Sequence, residues 1–228
     1  MLFKTPVSEW RNREKGDRVL KLEYVLPDEI EKRSFEIIES ELGDRIIPDE
    51  IKPIVMRVIH TSADFDYYDN LCFSENVVKI ALDTIKNGVV FVTDTNMAKS
   101  GINKTALEKL GCETMCFMSD KDVAETARKN STTRATASVD KAAALGRPII
   151  YAVGNAPTAL IRLYELMESG TFRPELVIGV PVGFVNVVQS KEMIMESGVP
   201  YIIAKGRKGG SNVAAAICNA LLYMAGGR

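Results

Sequence analysis

The sequence contains one histidine, His60, so any imidazole chemistry must run through that residue. It follows Arg57 by three positions, which on a helix puts the two side chains one turn apart on the same face. An imidazole titrates near neutrality and suits proton transfer, and a guanidinium beside it suits a ligand rich in carboxylates. The competing reading is a solvent-facing histidine at a helix end. A second reactive-looking group is the loop GRKGGS, residues 206–211. Lys205, Arg207 and Lys208 stand beside Gly209, Gly210 and Ser211 there, and a helix follows. Cations, open backbone and free N–H groups at a helix start favour an anion. The plain alternative is a solvated turn with an ordinary cap. Arg134, at the start of another helical stretch, reads either as a carboxylate clamp or as a surface arginine.

Other chemistries are excluded. Of the four cysteines, Cys72, Cys112, Cys116 and Cys218, only Cys112 and Cys116 are close, and no second Cys or His pair completes a metal set. No metal ligands are therefore expected. A net charge of −1 lacks the basic excess of a nucleic-acid binder. No P-loop, GxGxxG fingerprint or GxSxG elbow occurs. No run reaches the ~20 apolar residues of a membrane span. The N-terminus is charged and lacks the apolar stretch of a signal peptide, so a cytoplasmic protein with reduced thiols is expected.

These residues need elements to hold them. The first third reads helical, over residues 28–42, 49–60 and 75–87, with Ser74 as cap of the third helix. In the first helix Ile30, Ile37, Ile38 and Leu42 form an apolar stripe that Ser34 interrupts, as a tolerated small residue or as a hydroxyl aimed at a ligand. In the second, Ile51, Ile54, Val55, Val58 and Ile59 make the buried stripe, leaving Arg57 and His60 on the other side. Beyond residue 88, apolar runs at 89–93, 112–118, 148–153, 176–180 and 201–204 alternate with helical stretches at 103–110, 133–145, 157–167, 190–196 and 211–224. The expectation is an α/β fold: a three-layer α/β/α arrangement with a mainly parallel five-stranded sheet, an N-terminal helical segment, and one domain over 1–228. Ligands of such sheets bind outside the carboxyl ends of the strands. The loops at that edge are DTNMAKSGI (94–102), GNAPTAL (154–160), PVGF (181–184) and GRKGGS.

Taken together, VMRVIH, DTNMAKSGI, GNAPTAL, PVGFVNVVQSK and GRKGGS, in that order, make the sequence resemble the precorrin-8X / cobalt-precorrin-8 methylmutase family of corrin-ring biosynthesis. The resemblance runs from about Ser34 to Asn219. It implies an isomerase that moves a methyl group from ring carbon C-11 to C-12, giving hydrogenobyrinate or cobyrinate. It also implies a homodimer and no separate cofactor, any cobalt arriving with the tetrapyrrole substrate. Carried over by position, His60 becomes the proton donor/acceptor. Ser34, Arg57 and Arg134 become substrate contacts, as do Asp94, Met97, Ser100, Gly101, Ile102 and Asn155, and the loop residues Arg207, Lys208, Gly209, Gly210 and Ser211. Two readings from other classes remain beside it: a non-catalytic tetrapyrrole carrier, and a small-anion transferase on a Rossmann-like sheet.

Overall fold

The computed structural model describes residues 23–227; the charged N-terminal stretch lies outside them. The helical lead-in is α1 (Ile30–Leu42), α2 (Lys52–Ser62), the short α3 (Tyr67–Asn70) and α4 (Val77–Lys86). Between α3 and α4 runs a strand, β1 (Leu71–Phe73), that the sequence pattern does not reveal. The alternating part follows as β2 (Val90–Thr93), α5 (Asn96–Gly101), α6 (Lys104–Lys109), β3 (Glu113–Met115), α7 (Lys121–Lys129), α8 (Arg134–Ala143), β4 (Ile149–Val153), α9 (Pro157–Glu168), β5 (Leu176–Gly179), α10 (Val187–Glu196), β6 (Tyr201–Ala204) and α11 (Ser211–Leu222).

The sheet has six strands in the order β1-β6-β5-β4-β2-β3, rather than the five expected. All neighbours are parallel except β1, which pairs antiparallel with β6 through Leu71–Ala204 and Phe73–Ile202. Parallel pairing requires a crossover on one face, and that makes the three layers. Alternate residues of each strand feed opposite cores. Ile150 and Ala152 of β4 join the layer of α1, α2, α4, α5, α6 and α11. Ile149, Tyr151 and Val153 join the layer of α7 to α10. Every residue of β2, β4 and β5 is buried, as a sheet covered on both faces demands. Each such Val, Ile or Leu contributes roughly 1.5–3 kcal/mol by leaving water.

Several boundaries differ from the sequence reading. The expected strand at 112–118 shrinks to Glu113–Met115, because it is the sheet edge and pairs only with β2. Ser74 does not cap α4: its hydroxyl accepts from Tyr201 N–H at 2.9 Å, and Asn76, with φ of 57°, stands before the helix. In α1, Ile38 and Leu42 are buried, whereas Ile30 and Ile37 are exposed. The packed stripe runs instead through Phe35, Ile38 and Leu42, at the same helical spacing but rotated. Of the expected α2 stripe, Ile54, Val55, Val58 and Ile59 are at 0–2% exposure, on the helix that packs against α11, while Ile51 stands just before the helix and is only partly buried.

Candidate active site

The strand order reverses between β2 and β4, and the crevice outside their carboxyl ends is where open α/β sheets take ligands. Asp94, at the end of β2, sits in that crevice. It is buried, and its carboxylate accepts from the N–H groups of Gly154 at 2.8 Å, Asn155 at 2.8 Å and Ala156 at 2.7 Å. Burial pushes its pKa up and these N–H donors oppose that. Asp94 thus pins the loop that leads into α9, from the end of another strand. The N–H groups of that loop, which the sequence offers to a ligand anion, already hold the protein's own carboxylate. Asp94, expected at the substrate, is turned to this task, while the Asn155 side chain remains exposed.

The DTNMAKSGI loop divides in the same way. Thr95 caps α5 by accepting from Ala98 N–H, and its hydroxyl lies 2.8 Å from that of Ser211. Ser211 is therefore the first residue of α11 and a link between two loops, not the cap; Gly210 holds the cap position with no side chain to offer. Met97 and Ser100 are exposed, Ile102 is buried in the core, and Gly101 admits no Cβ because Ala215 Cβ would lie 2.9 Å away. The three GRKGGS glycines differ in what surrounds them, Gly206 having open space. A Cβ on Gly209 would meet the Val180 carbonyl oxygen at 2.0 Å, and Gly210 has φ of 143°. Lys208, expected to add positive charge for a ligand, is held by Asp64 and Asp66. That pairing raises the Lys208 pKa, and the Lys208 ammonium lowers that of Asp64. Arg207 is exposed, its guanidinium 5.4 Å from the centre of the exposed Phe184 ring. Arg134 is exposed at the first turn of α8.

His60 is exposed on α2, as its spacing implies. Its neighbour Arg57 is not free. The guanidinium donates to Glu31 at 2.5 Å and lies between the rings of Phe35, at 5.5 Å, and Tyr223, at 4.7 Å. Phe35 also meets the His60 imidazole at 5.3 Å. Ser34 precedes Phe35 on α1, and its hydroxyl donates back to Ile30 C=O at 2.8 Å. Phe35, Glu31 and Tyr223 escape sequence reasoning because they come from α1 and the residues after α11, far apart along the chain. Beside His60 in sequence, Thr61 and Ser62 line a cleft of about 320 Å³ with Asp64, Val182, Lys208, Gly209 and Asn212. This cleft joins the end of α2 to the PVGF loop and to the uncapped start of α11.

A doubly wound sheet with glycine loops beyond its strand ends, and with Arg134 and Arg207 exposed, defines an α/β protein of the class that takes ligands at that edge. The comparisons specify which. Residues 29–224 match the family described as precorrin-8X methylmutase. The cobalt-precorrin-8 methylmutase of Priestia megaterium is 44% identical, over 88% of this chain and 89% of its own. That of Salmonella typhimurium is also 44% identical, over 86% and 95%. The crystal structure of precorrin-8X methylmutase from Thermus thermophilus superposes with a TM-score of 0.80 at 38% identity, covering 87% of this chain and 98% of that one. The chain belongs to the precorrin-8X methylmutase family, isomerases of cobalamin biosynthesis that act on a corrinoid precursor. Among the described residues, no helix is long and apolar enough to cross a membrane.

Proposed function

We propose that this methylmutase moves a methyl group from C-11 to C-12 of precorrin-8X or cobalt-precorrin-8, giving hydrogenobyrinate or cobyrinate, with His60 as proton donor and acceptor. The observation that carries the reading is the setting of His60: exposed on α2, next in sequence to the cleft-lining Thr61 and Ser62, with the Phe35 ring against its imidazole. A methyl shift round a conjugated ring has no leaving group and calls for no covalent nucleophile. Protonation of the macrocycle draws electron density from the migrating centre and lowers the barrier, and such general acid catalysis typically contributes ~10²–10⁴-fold. His60 then recovers the proton, which closes the cycle. Arg134 and Arg207, both exposed at the strand-end edge, meet carboxylates of the substrate. The further acceleration comes from holding the ring in a reactive shape. No cofactor of the protein's own enters this scheme, and cobalt, in the cobalt-containing substrate, is part of the ligand.

The reading includes a homodimer. Met97, Val182, Phe184 and Val185, at the same edge, are 48–80% exposed. The cleft of about 320 Å³ lies at the low end of ligand pockets, which run roughly 300–1,000 Å³. A second copy laid over these apolar side chains would enlarge the enclosure.

Incubating the protein with precorrin-8X and with cobalt-precorrin-8 tests the reading by absorbance and mass. Isomerisation changes the spectrum and leaves the mass unchanged. Corrinoid binding without conversion would instead establish the carrier reading.

A further inference from the structure

We propose that Lys191 is a positioning residue of the corrinoid site: its ammonium clamps the backbone on either side of Arg207, so that the guanidinium is presented over Phe184 to a substrate carboxylate. The proposal rests on the methylmutase reading above and deepens it.

Lys191 lies on α10, within PVGFVNVVQSK, and is 1% exposed. Lysines are seldom so buried, because removing an ammonium from water is costly unless its donors are satisfied. Here Nζ donates to Gly206 C=O at 2.8 Å and to Lys208 C=O at 2.9 Å. The carbonyl between them, that of Arg207, accepts from Gly183 N–H at 3.2 Å. Three consecutive carbonyls of the loop are thus tied to the 181–191 segment. Both ends of the arrangement are anchored further, since Lys205 N–H donates to Asn70 C=O and Gly210 N–H to Val180 C=O.

The consequence falls on Arg207. Lys208 is committed to Asp64 and Asp66, whereas Arg207 is exposed and stacked on Phe184, a residue of the same 181–191 segment. The backbone that carries the cation and the ring that supports it are therefore fixed by one element. The acceptors of Lys191 are neutral carbonyls, so its hold on the loop is made with backbone alone. Burial lowers the Lys191 pKa to about 8, as dehydration without a carboxylate partner requires.

The test uses Lys191→Met, Lys191→Gln, Arg207→Ala and the double variant Lys191→Met/Arg207→Ala. Hydrogenobyrinate is titrated into each and followed by absorbance, and turnover of precorrin-8X is measured beside it. Lys191→Met is expected to weaken hydrogenobyrinate binding and raise KM about tenfold, with kcat within about twofold of wild type. The double variant is expected to bind no more weakly than Arg207→Ala, because the lysine acts through the arginine. Lys191→Gln, which keeps one donor group, should fall between. Wild-type affinity in Lys191→Met while Arg207→Ala loses affinity would overturn the proposal. So would additive losses in the double variant, or failure of both single lysine variants to fold, which would make Lys191 a part of the core alone. If the wild type neither bound nor converted any corrinoid, the methylmutase reading would itself fall, and the proposal with it.

Discussion

The ring of Phe35 meets the imidazole of His60 edge to face, 5.3 Å between centroids and 77° between planes. The same ring lies 5.5 Å from the Arg57 guanidinium, so one side chain of α1 sets both the imidazole and the cation. Such aromatic contacts are worth ~0.5–1.5 kcal/mol beyond buried area. Phe35→Leu keeps apolar volume and removes the ring. Steady-state absorbance assays should show kcat lowered about tenfold with a smaller change in KM, and a near-native melting curve. A variant with wild-type kcat would reduce Phe35 to packing.

Asp94 bridges two loops of the strand-end edge. Its carboxylate serves the N–H groups of Gly154, Asn155 and Ala156 inside the protein. Asp94→Asn turns an amide NH₂ against those donors and removes the charge they stabilise. The expected loss is about 2–4 kcal/mol, or about 5–15 °C in melting temperature, by calorimetry. An unchanged melting temperature would show that these contacts are dispensable.

The Lys208–Asp64 contact gives a pH signature. Lys208 holds the Asp64 carboxyl below its ordinary pKa of 3.8, so the stability it confers is fully present above that value and is lost as pH falls through the lower, folded-state value. Lys208→Met should therefore melt below wild type at neutral pH, and the gap should narrow on acidification below 3.8. Parallel melting curves across that acid range would contradict the pairing.

Two glycines of one loop should respond differently. Gly206 has φ of 71° with open space around it, so Gly206→Ala bears only the left-handed strain of ~1–2 kcal/mol. Gly209→Ala would drive a methyl into the Val180 carbonyl oxygen at 2.0 Å, and the backbone must move. Soluble yield and thermal melts should rank Gly209→Ala well below Gly206→Ala. Equal behaviour would mean that the loop is not held against β5.

What was readable in the chain follows from physical range. The α2 stripe and the buried strands β2, β4 and β5 announce themselves because periodicity is local. Strand β1, three residues long, does not, since its conformation comes from pairing with β6 about 130 positions later. The α1 stripe is ambiguous in sequence, because Ile30 and Ile37 match the period as well as Phe35 does, and only tertiary packing decides. The exposure of His60 on α2 is legible, because it follows from helical spacing against the buried stripe. That Asp94 takes the N–H groups of residues 154–156, that Lys208 is tied to Asp64, and that Lys191 is buried under the GRKGGS loop depend on partners 15–144 residues away. Asp94 and Lys208 read as ligand contacts in the sequence, whereas the fold uses them on itself.

The role of His60 is the central claim, and one comparison tests it most directly. His60→Ala is mixed with precorrin-8X under single-turnover conditions, with bound and converted corrinoid read from the same spectra. The account expects binding close to wild type and conversion slowed by ~10²–10⁴-fold. Conversion at the wild-type rate would contradict it.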